Sequence, residues 1–294
     1  MFPQGRNPDW YHRHMLAEWK ELWSFRELLF SMVERELRIR YKNSVLGFFW
    51  SLLNPLITVA VMTVVFQKFL GQETPNLSAY ILVAYLPFMF FQMCLLDSAQ
   101  SILSALPLVR KIYFPREILP LSLIISNFIH FVLAMVVFFV YMIVVWISFP
   151  GAFPFGSTVV LLPLLLLIQF ALCTGLGLII SALNTFYEDV KYIVTVILYL
   201  LFFATPVMYW SENVKAGLGE TGYFLYHLNP IATLCTAYRK LLLAPQPMVL
   251  GGRKLDPLPM DWTLLGITAL TSFGILFLGY HVFNRMKWRF VERP

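Results

Sequence analysis

Charge is scarce in this sequence: 13% of its 294 residues are Asp, Glu, Lys or Arg, about half the share found in a soluble globular domain. Bulk water is therefore not its main solvent. Cysteine is rarer still. Cys94, Cys173 and Cys235 are the full set, with no C-x-x-C pair and two of them inside apolar runs, which points to neither a disulfide framework nor a zinc site. Signatures of hydrolytic and phosphate chemistry are missing as well. There is no G-x-x-x-x-G-K-[ST] loop, no H-E-x-x-H, no G-x-S-x-G and no paired intramembrane carboxylates, so no catalytic centre, metal site or cofactor is expected on this chain. If ATP drives the protein, the ATPase must be another polypeptide. Basic residues form no separate domain with interleaved aromatics, so the formal charge of +6 and the pI near 9.2 are read as membrane anchoring and not as nucleic-acid binding. The N-terminus also lacks a basic start, a short apolar core and a small-residue cleavage site. No cleaved signal peptide is expected, and the first span must itself insert.

What is plentiful is apolar sequence, at 59% of residues and a mean hydropathy of +0.71. Six runs approach or exceed the roughly 20 residues that a helix needs to cross a bilayer: Val45–Phe66, Leu77–Ser98, Ile118–Ile147, Ser157–Leu183, Tyr192–Met208 and Trp262–Val282. The fold class expected is an all-α integral membrane protein with six transmembrane helices, organised as a cytoplasmic segment 1–44, a spanning domain 45–283 and a tail 284–294. Lys and Arg set its orientation. With the N-terminus inside, sixteen fall on the cytoplasmic side and six outside, which places both termini in the cytoplasm. Before the first span, Trp19, Leu22, Trp23, Phe25, Leu29, Met32 and Val33 recur at helical spacing among charges. That pattern predicts an amphipathic helix lying on the membrane interface or on a partner protein. The external segment between the fifth and sixth spans is too apolar for an ordinary loop. Within it Ile231–Leu243 is too short to cross, and Asn229-Pro230 before it supplies an N-cap and a first-turn proline, so re-entrant or interfacial helices are expected there. Ala244–Pro259, with Gly251-Gly252, reads as an irregular loop.

Candidate functional residues are few. Asp97 and His130 are ionisable groups inside spans, where charge is a functional candidate by default, although a lone histidine is readily satisfied by a neighbouring helix. A stripe of small and polar residues runs down the first span at Ser44, Gly47, Ser51, Asn54 and Thr58, and another down the fourth at Thr174, Gly177, Ser181 and Asn184. Close helix packing explains either stripe without function. Tyr192, Thr195, Tyr199, Phe202 or Phe203, and Pro206 share a face of the fifth span. With Phe48, Phe49 and Trp50 they could line a sugar path by stacking on pyranose faces, or could simply belong to the membrane interface. The inner loop LVRKIYFPREILP at 108–120 combines basic residues, an aromatic pair and proline. It suits a short helix whose tip inserts into a motor subunit, or a topological anchor.

Five ordered blocks resemble the polysaccharide-exporting branch of the type-2 ABC exporter permeases, which serves O-antigen, capsule and teichoic acid export: RYKNSVLGFFWSLLNP at 40–55, LVRKIYFPREILP at 108–120, LNTFYEDVKYIV at 183–194, TPVMY at 205–209 and LNPIATLCTAYR at 228–239. The resemblance implies a homodimer in the bacterial cytoplasmic (inner) membrane with two copies of a separate P-loop ATPase, which uses ATP and Mg, and a lipid-linked glycan as substrate. It further implies a coupling helix at about 106–117 and re-entrant external helices within about 210–260. On this basis Arg110, Lys111, Ile112, Tyr113, Phe114, Pro115, Arg116 and Glu117 would meet the ATPase. Phe48, Trp50, Ser51, Asn54, Thr58, Tyr199, Phe202 and Phe203 would line the substrate path. One departure is Glu188 before Asp189, where the family often has arginine. A membrane-embedded glycosyltransferase or lipid-modifying enzyme would also handle lipid-linked sugar, but its loops should carry carboxylate or metal-binding motifs. A secondary carrier should show repeated halves.

Overall fold

A computed structural model describes residues 20–41, 48–69, 71, 76–148, 155, 157–245, 248–250 and 253–290; for residues 41, 48, 49, 51, 52, 157, 248–250 and 253–255 it describes the backbone alone. Among the described residues the architecture is almost entirely helical. In chain order the elements are α1 (Arg26–Tyr41), α2 (Phe48–Val64) prolonged by a π-helical turn (Val65–Phe69), α3 (Leu77–Ser104), α4 (Leu106–Val109), α5 (Ile118–Ser148), α6 (Leu162–Phe186) entered through a 3₁₀ turn (Ser157–Leu161), α7 (Val190–Ala204), α8 (Ser211–Tyr226), α9 (Pro230–Leu242) and α10 (Trp262–Met286). Between α9 and α10 lies a small antiparallel hairpin of β1 (Met248–Leu250) and β2 (Arg253–Leu255), where an irregular loop was expected. A hairpin suits the turn-prone Gly251-Gly252 between its strands, although those two glycines lie outside the described residues, as do Ser44 and Gly47 of the first stripe.

Among the described residues, four helical stretches are long and apolar enough to cross a membrane: Leu77–Ser104, Ile118–Ser148, Thr158–Phe186 and Trp262–Arg289. The other two expected spans are shorter helices. α2 has 17 residues, and its π-turn adds five. α7 has 15, or roughly 22 Å of rise against a hydrocarbon core of about 30 Å. The expected run to Met208 stops at Ala204 because Pro206 follows. The residue before a proline is driven out of the helical region, and Thr205 is accordingly extended (φ −107°, ψ 140°).

α3 is the most enclosed of the spanning helices. It packs against α2, α5, α6, α7 and α9, and its Phe88, Phe90, Phe91 and Cys94 belong to the main apolar cluster. α10 packs on α6 by direct backbone approach. A Cβ on Gly175 would stand 2.5 Å from the Ile275 carbonyl oxygen, and one on Gly279 would collide with the Gly175 carbonyl. Only glycine permits so close a crossing. A second cluster closes the basal end of the bundle, built from Met32 of α1, Ile102 of α3, Phe114, Ile118 of α5, Leu178 of α6, Phe283 of α10 and Phe290.

Candidate functional site

At the basal end the chain leaves α3 through α4, a single helical turn that begins Leu106-Pro107, a favourable place for proline. The expected coupling helix of about 106–117 is thus helical only over Leu106–Val109. Residues 110–117 make turns and irregular backbone up to Ile118, consistent with Pro115, which removes a helical donor. This geometry sorts the eight loop residues. Arg110, Lys111, Ile112 and Tyr113 are exposed, with Tyr113 at 71% the most open of the aromatic pair; Pro115 and Arg116 are half-buried. Phe114, by contrast, is buried in the basal cluster at 4% exposure. The two aromatics therefore face opposite ways, one into the protein and one out. Glu117 is also buried, and its Oε1 accepts a hydrogen bond from Lys287 Nζ at 2.7 Å. Arg116 donates from its guanidinium to the Lys287 carbonyl, and the Tyr113 hydroxyl donates to Glu21 Oε1 at 2.8 Å. Four exposed residues are thus presented on a loop tied to Lys287 and to Glu21.

The candidate path residues lie on α2 and α7, both of which lean on α3. The side chains of Phe48 and Ser51 are outside the described residues. Trp50, Asn54, Tyr199 and Phe203 are exposed, and Thr58 and Phe202 are half-buried. Phe202 lies 5.2 Å from Phe88 and 6.3 Å from Tyr85, ring centre to ring centre, and Tyr199 and Phe203 meet edge-on at 5.3 Å. Thr58 Oγ1 of α2 donates to Asn54 Oδ1 at 3.5 Å. The rest of α7 buries only Val194 and Leu198. Its outer face, with Tyr192, Val196, Tyr199, Leu200 and Phe203 exposed, awaits lipid or protein.

The other sequence candidates find structural partners. Asp97 Oδ2 accepts from Arg40 Nη2 at 2.7 Å and from Asn127 Nδ2 at 2.9 Å, which ties α1 to α3 and α5. The stripe on α6 packs against α3. Gly177 lies against Ser98, Ser181 Oγ is 2.7 Å from Ser101 Oγ, and Asn184 Nδ2 donates to the Ala99 carbonyl at 2.6 Å. This is the close packing that the small residues allow.

The residue that sequence reasoning missed is Arg239. It was counted as an outside charge, yet it is buried at 3% exposure in the last turn of α9. Its Nε donates to the Tyr80 carbonyl at 3.0 Å and its Nη1 to the Tyr209 carbonyl at 3.0 Å, while Nη1 and Nη2 also donate to the carbonyls of Pro206 and Val207. The guanidinium lies over the Tyr80 ring, 3.8 Å from its centre. Burial pulls its pKa down from the ordinary value, and the ring of carbonyls favours the charged form. Arg239 thus satisfies carbonyls freed where α7 unwinds, and it fastens that end to α9 and to the start of α3. One signal was available in the sequence: an arginine in a mostly apolar helix too short to cross a membrane. Beside it a cavity of about 140 Å³ is lined by Tyr80, Trp210, Glu212 and Lys240 among others. Its charged groups have protein partners, since Glu212 accepts from Ser211 and the Leu258 amide and Lys240 donates to the Pro259 carbonyl.

Residues 27–243 match the ABC-2 type transporter family. The chain is 34% identical to the O-antigen export system permease protein RfbA of Myxococcus xanthus over 222 residues, covering 76% of this chain and 82% of that protein. It is 27% identical to the O-antigen export system permease protein RfbA of Klebsiella pneumoniae over 266 residues, 90% of this chain and 94% of that one. It is also 22% identical to the polysialic acid transport protein KpsM of Escherichia coli over 183 residues, 61% and 69% of the two chains.

Proposed function

The chain belongs to the ABC-2 type transporter family, and from that premise we propose that it is the membrane-spanning permease of an exporter that moves lipid-linked polysaccharide across the bacterial cytoplasmic membrane. The observation that carries this reading is the similarity to O-antigen export permeases along 82% and 94% of their lengths. The glycan is of the O-antigen, capsule or teichoic acid type. ATP and Mg are used by a separate ATPase, two copies of which assemble with two copies of this chain. The exposed tip Arg110–Tyr113 is the surface that meets the motor. Its rigid seating supports the assignment, because a contact that transmits force must not yield locally. α2 and α7 complete a set of six spans, α8 and α9 are the re-entrant external pair, and both termini lie in the cytoplasm. The aromatic and polar faces of α2 and α7 line the glycan path near the axis of the dimer.

A tagged chain co-expressed with its ATPase tests this reading. The ATPase should co-purify with it, and a cysteine placed at Gly252 should be labelled from outside while one at Lys111 is not. Nucleotide hydrolysis by the chain alone, or the reverse labelling pattern, would overturn the assignment.

A further inference from the structure

We propose that the C-terminal turn after α10 is part of the coupling apparatus, with the buried Glu117–Lys287 ion pair acting as a positioning element that makes one push on the loop move two helices. This rests on the reading that Arg110–Tyr113 meets a separate ATPase.

Glu117 immediately precedes α5, so any displacement of the loop passes covalently into that helix. Lys287 sits 170 residues away in sequence, at the end of α10, and its Nζ reaches Glu117 Oε1 at 2.7 Å with both side chains shielded from solvent. The neighbouring Arg116 donates to the Lys287 backbone carbonyl, so the loop grips both the side chain and the main chain of one residue. Beyond it Phe290 is fully buried, 5.7 Å from Phe186 of α6 and 5.5 Å from Phe283 of α10 between ring centres, and it shares the basal cluster with Phe114.

An ion pair held out of water resists opening, because separating it leaves a buried charge without compensation. The other oxygen of Glu117 is buried with no hydrogen-bond partner among the described residues, which concentrates that dependence on Lys287. α10 in turn is locked to α6 by the glycine crossing at Gly175 and Gly279. Loop, α5, α10 and α6 therefore move as one body when the tip is pushed. Without the pair the loop would still dock on the motor, but its hold on α10 would fall to the Arg116 contact with the Lys287 carbonyl and the basal cluster, and it would drive α10 less. The family match covers residues 27–243, so Glu117 lies inside it and Lys287 beyond it.

The test uses the whole complex in membrane vesicles, reading ATPase recovered per chain, ATP hydrolysis, and lipid-linked glycan delivered per ATP hydrolysed. Lys287→Met should retain ATPase recovery and lower glycan delivered per ATP by roughly fivefold or more, the low end of coupling between distant sites. The reversed pair Glu117→Lys with Lys287→Glu should recover part of that loss. Phe290→Leu leaves the ion pair intact but loosens the turn, and it should lower the ratio less; it decides the matter if Lys287→Met does not accumulate. A purely structural role would reduce the amount of complex and leave glycan per ATP unchanged in what remains, and that result overturns the proposal. Failure of the wild-type chain to recover any ATPase would instead overturn the reading of the loop.

Discussion

Replacing Arg239 should loosen the far end of the bundle, and the size of the effect can be worked from its contacts. The guanidinium serves four backbone carbonyls, those of Tyr80, Pro206, Val207 and Tyr209. A hydrogen bond from a charged donor is worth about 1.5–3 kcal/mol, and a buried carbonyl left unpaired costs about 1–3 kcal/mol. These contributions do not add, because the Thr205–Trp210 segment can shift and admit water. Arg239→Met should therefore cost roughly 3–5 kcal/mol. Arg239→Lys keeps the charge but replaces a planar fork with a single ammonium that cannot span four diverging acceptors, and roughly 2 kcal/mol is expected. The protein carries a suitable reporter: Cys94, Cys173 and Cys235 are all buried, so a thiol-reactive fluorophore added to the detergent-purified chain reports unfolding. The melting temperature should fall by roughly 6–10 °C for Arg239→Met, taking about 2 °C per kcal/mol for a chain of this size, and by less for Arg239→Lys. An unchanged melting temperature for Arg239→Met would refute the view that this residue holds the end of α7.

Gly279→Ala drives a methyl group into the backbone of α6 and should destabilise by about 1–3 kcal/mol; Gly274→Ala, where a Cβ meets nothing within 4 Å, should be neutral or slightly stabilising in the same melt. His227 is buried between Tyr223 and Thr236, and burial, helped by Lys240 and opposed by the Tyr223 carbonyl, Asp261 and Glu212, lowers its pKa below 6.5. Because the unfolded chain takes up that proton first, the stability His227 contributes is complete above pH 6.5 and is lost as pH falls through the lowered folded value. Melting temperatures measured from pH 7.5 to 5 should show a decline that His227→Gln flattens, and a parallel decline in the variant would exclude His227 as its source. Tyr113→Ala with Ile112→Ala should impair ATPase pull-down without lowering the melting temperature, whereas Phe114→Ala should lower it, since Phe→Ala in a core costs about 3–5 kcal/mol; the same outcome for both would contradict the division of that aromatic pair.

The positions of the spanning helices were legible in the sequence because apolar runs and helix lengths are both set by bilayer thickness. Ile118–Ile147 was expected and Ile118–Ser148 is found. Where the two differ, a local rule acted against hydropathy. Pro206 stopped α7 short of Met208, and Pro115 kept residues 110–117 from becoming a helix. The N-terminal amphipathic helix was visible in its periodicity. That Met32 and Val33 turn inward while Trp23 and Phe30 remain exposed follows from the helix seating on the end of α5, which no pattern within the segment encodes. Long-range partners were beyond sequence reasoning for the same reason. Asp97 was noticed as an intramembrane carboxylate, but its partner Arg40 lies 57 positions earlier. Arg239 and Lys287 were each read as topological charges, although both are buried and bonded to segments far along the chain. Counting Lys and Arg carries no information on whether a charge faces water or a ring of carbonyls.

The central claim is that this chain conducts lipid-linked polysaccharide while another subunit hydrolyses ATP, and transport by the purified complex tests it most directly. Proteoliposomes containing this chain, its ATPase and a lipid-linked glycan should deliver the glycan to the compartment opposite the ATPase only when ATP and Mg are supplied. Vesicles holding either protein alone should deliver none. Delivery by this chain without the ATPase, or chemical alteration of the glycan in place of its movement, would contradict the account.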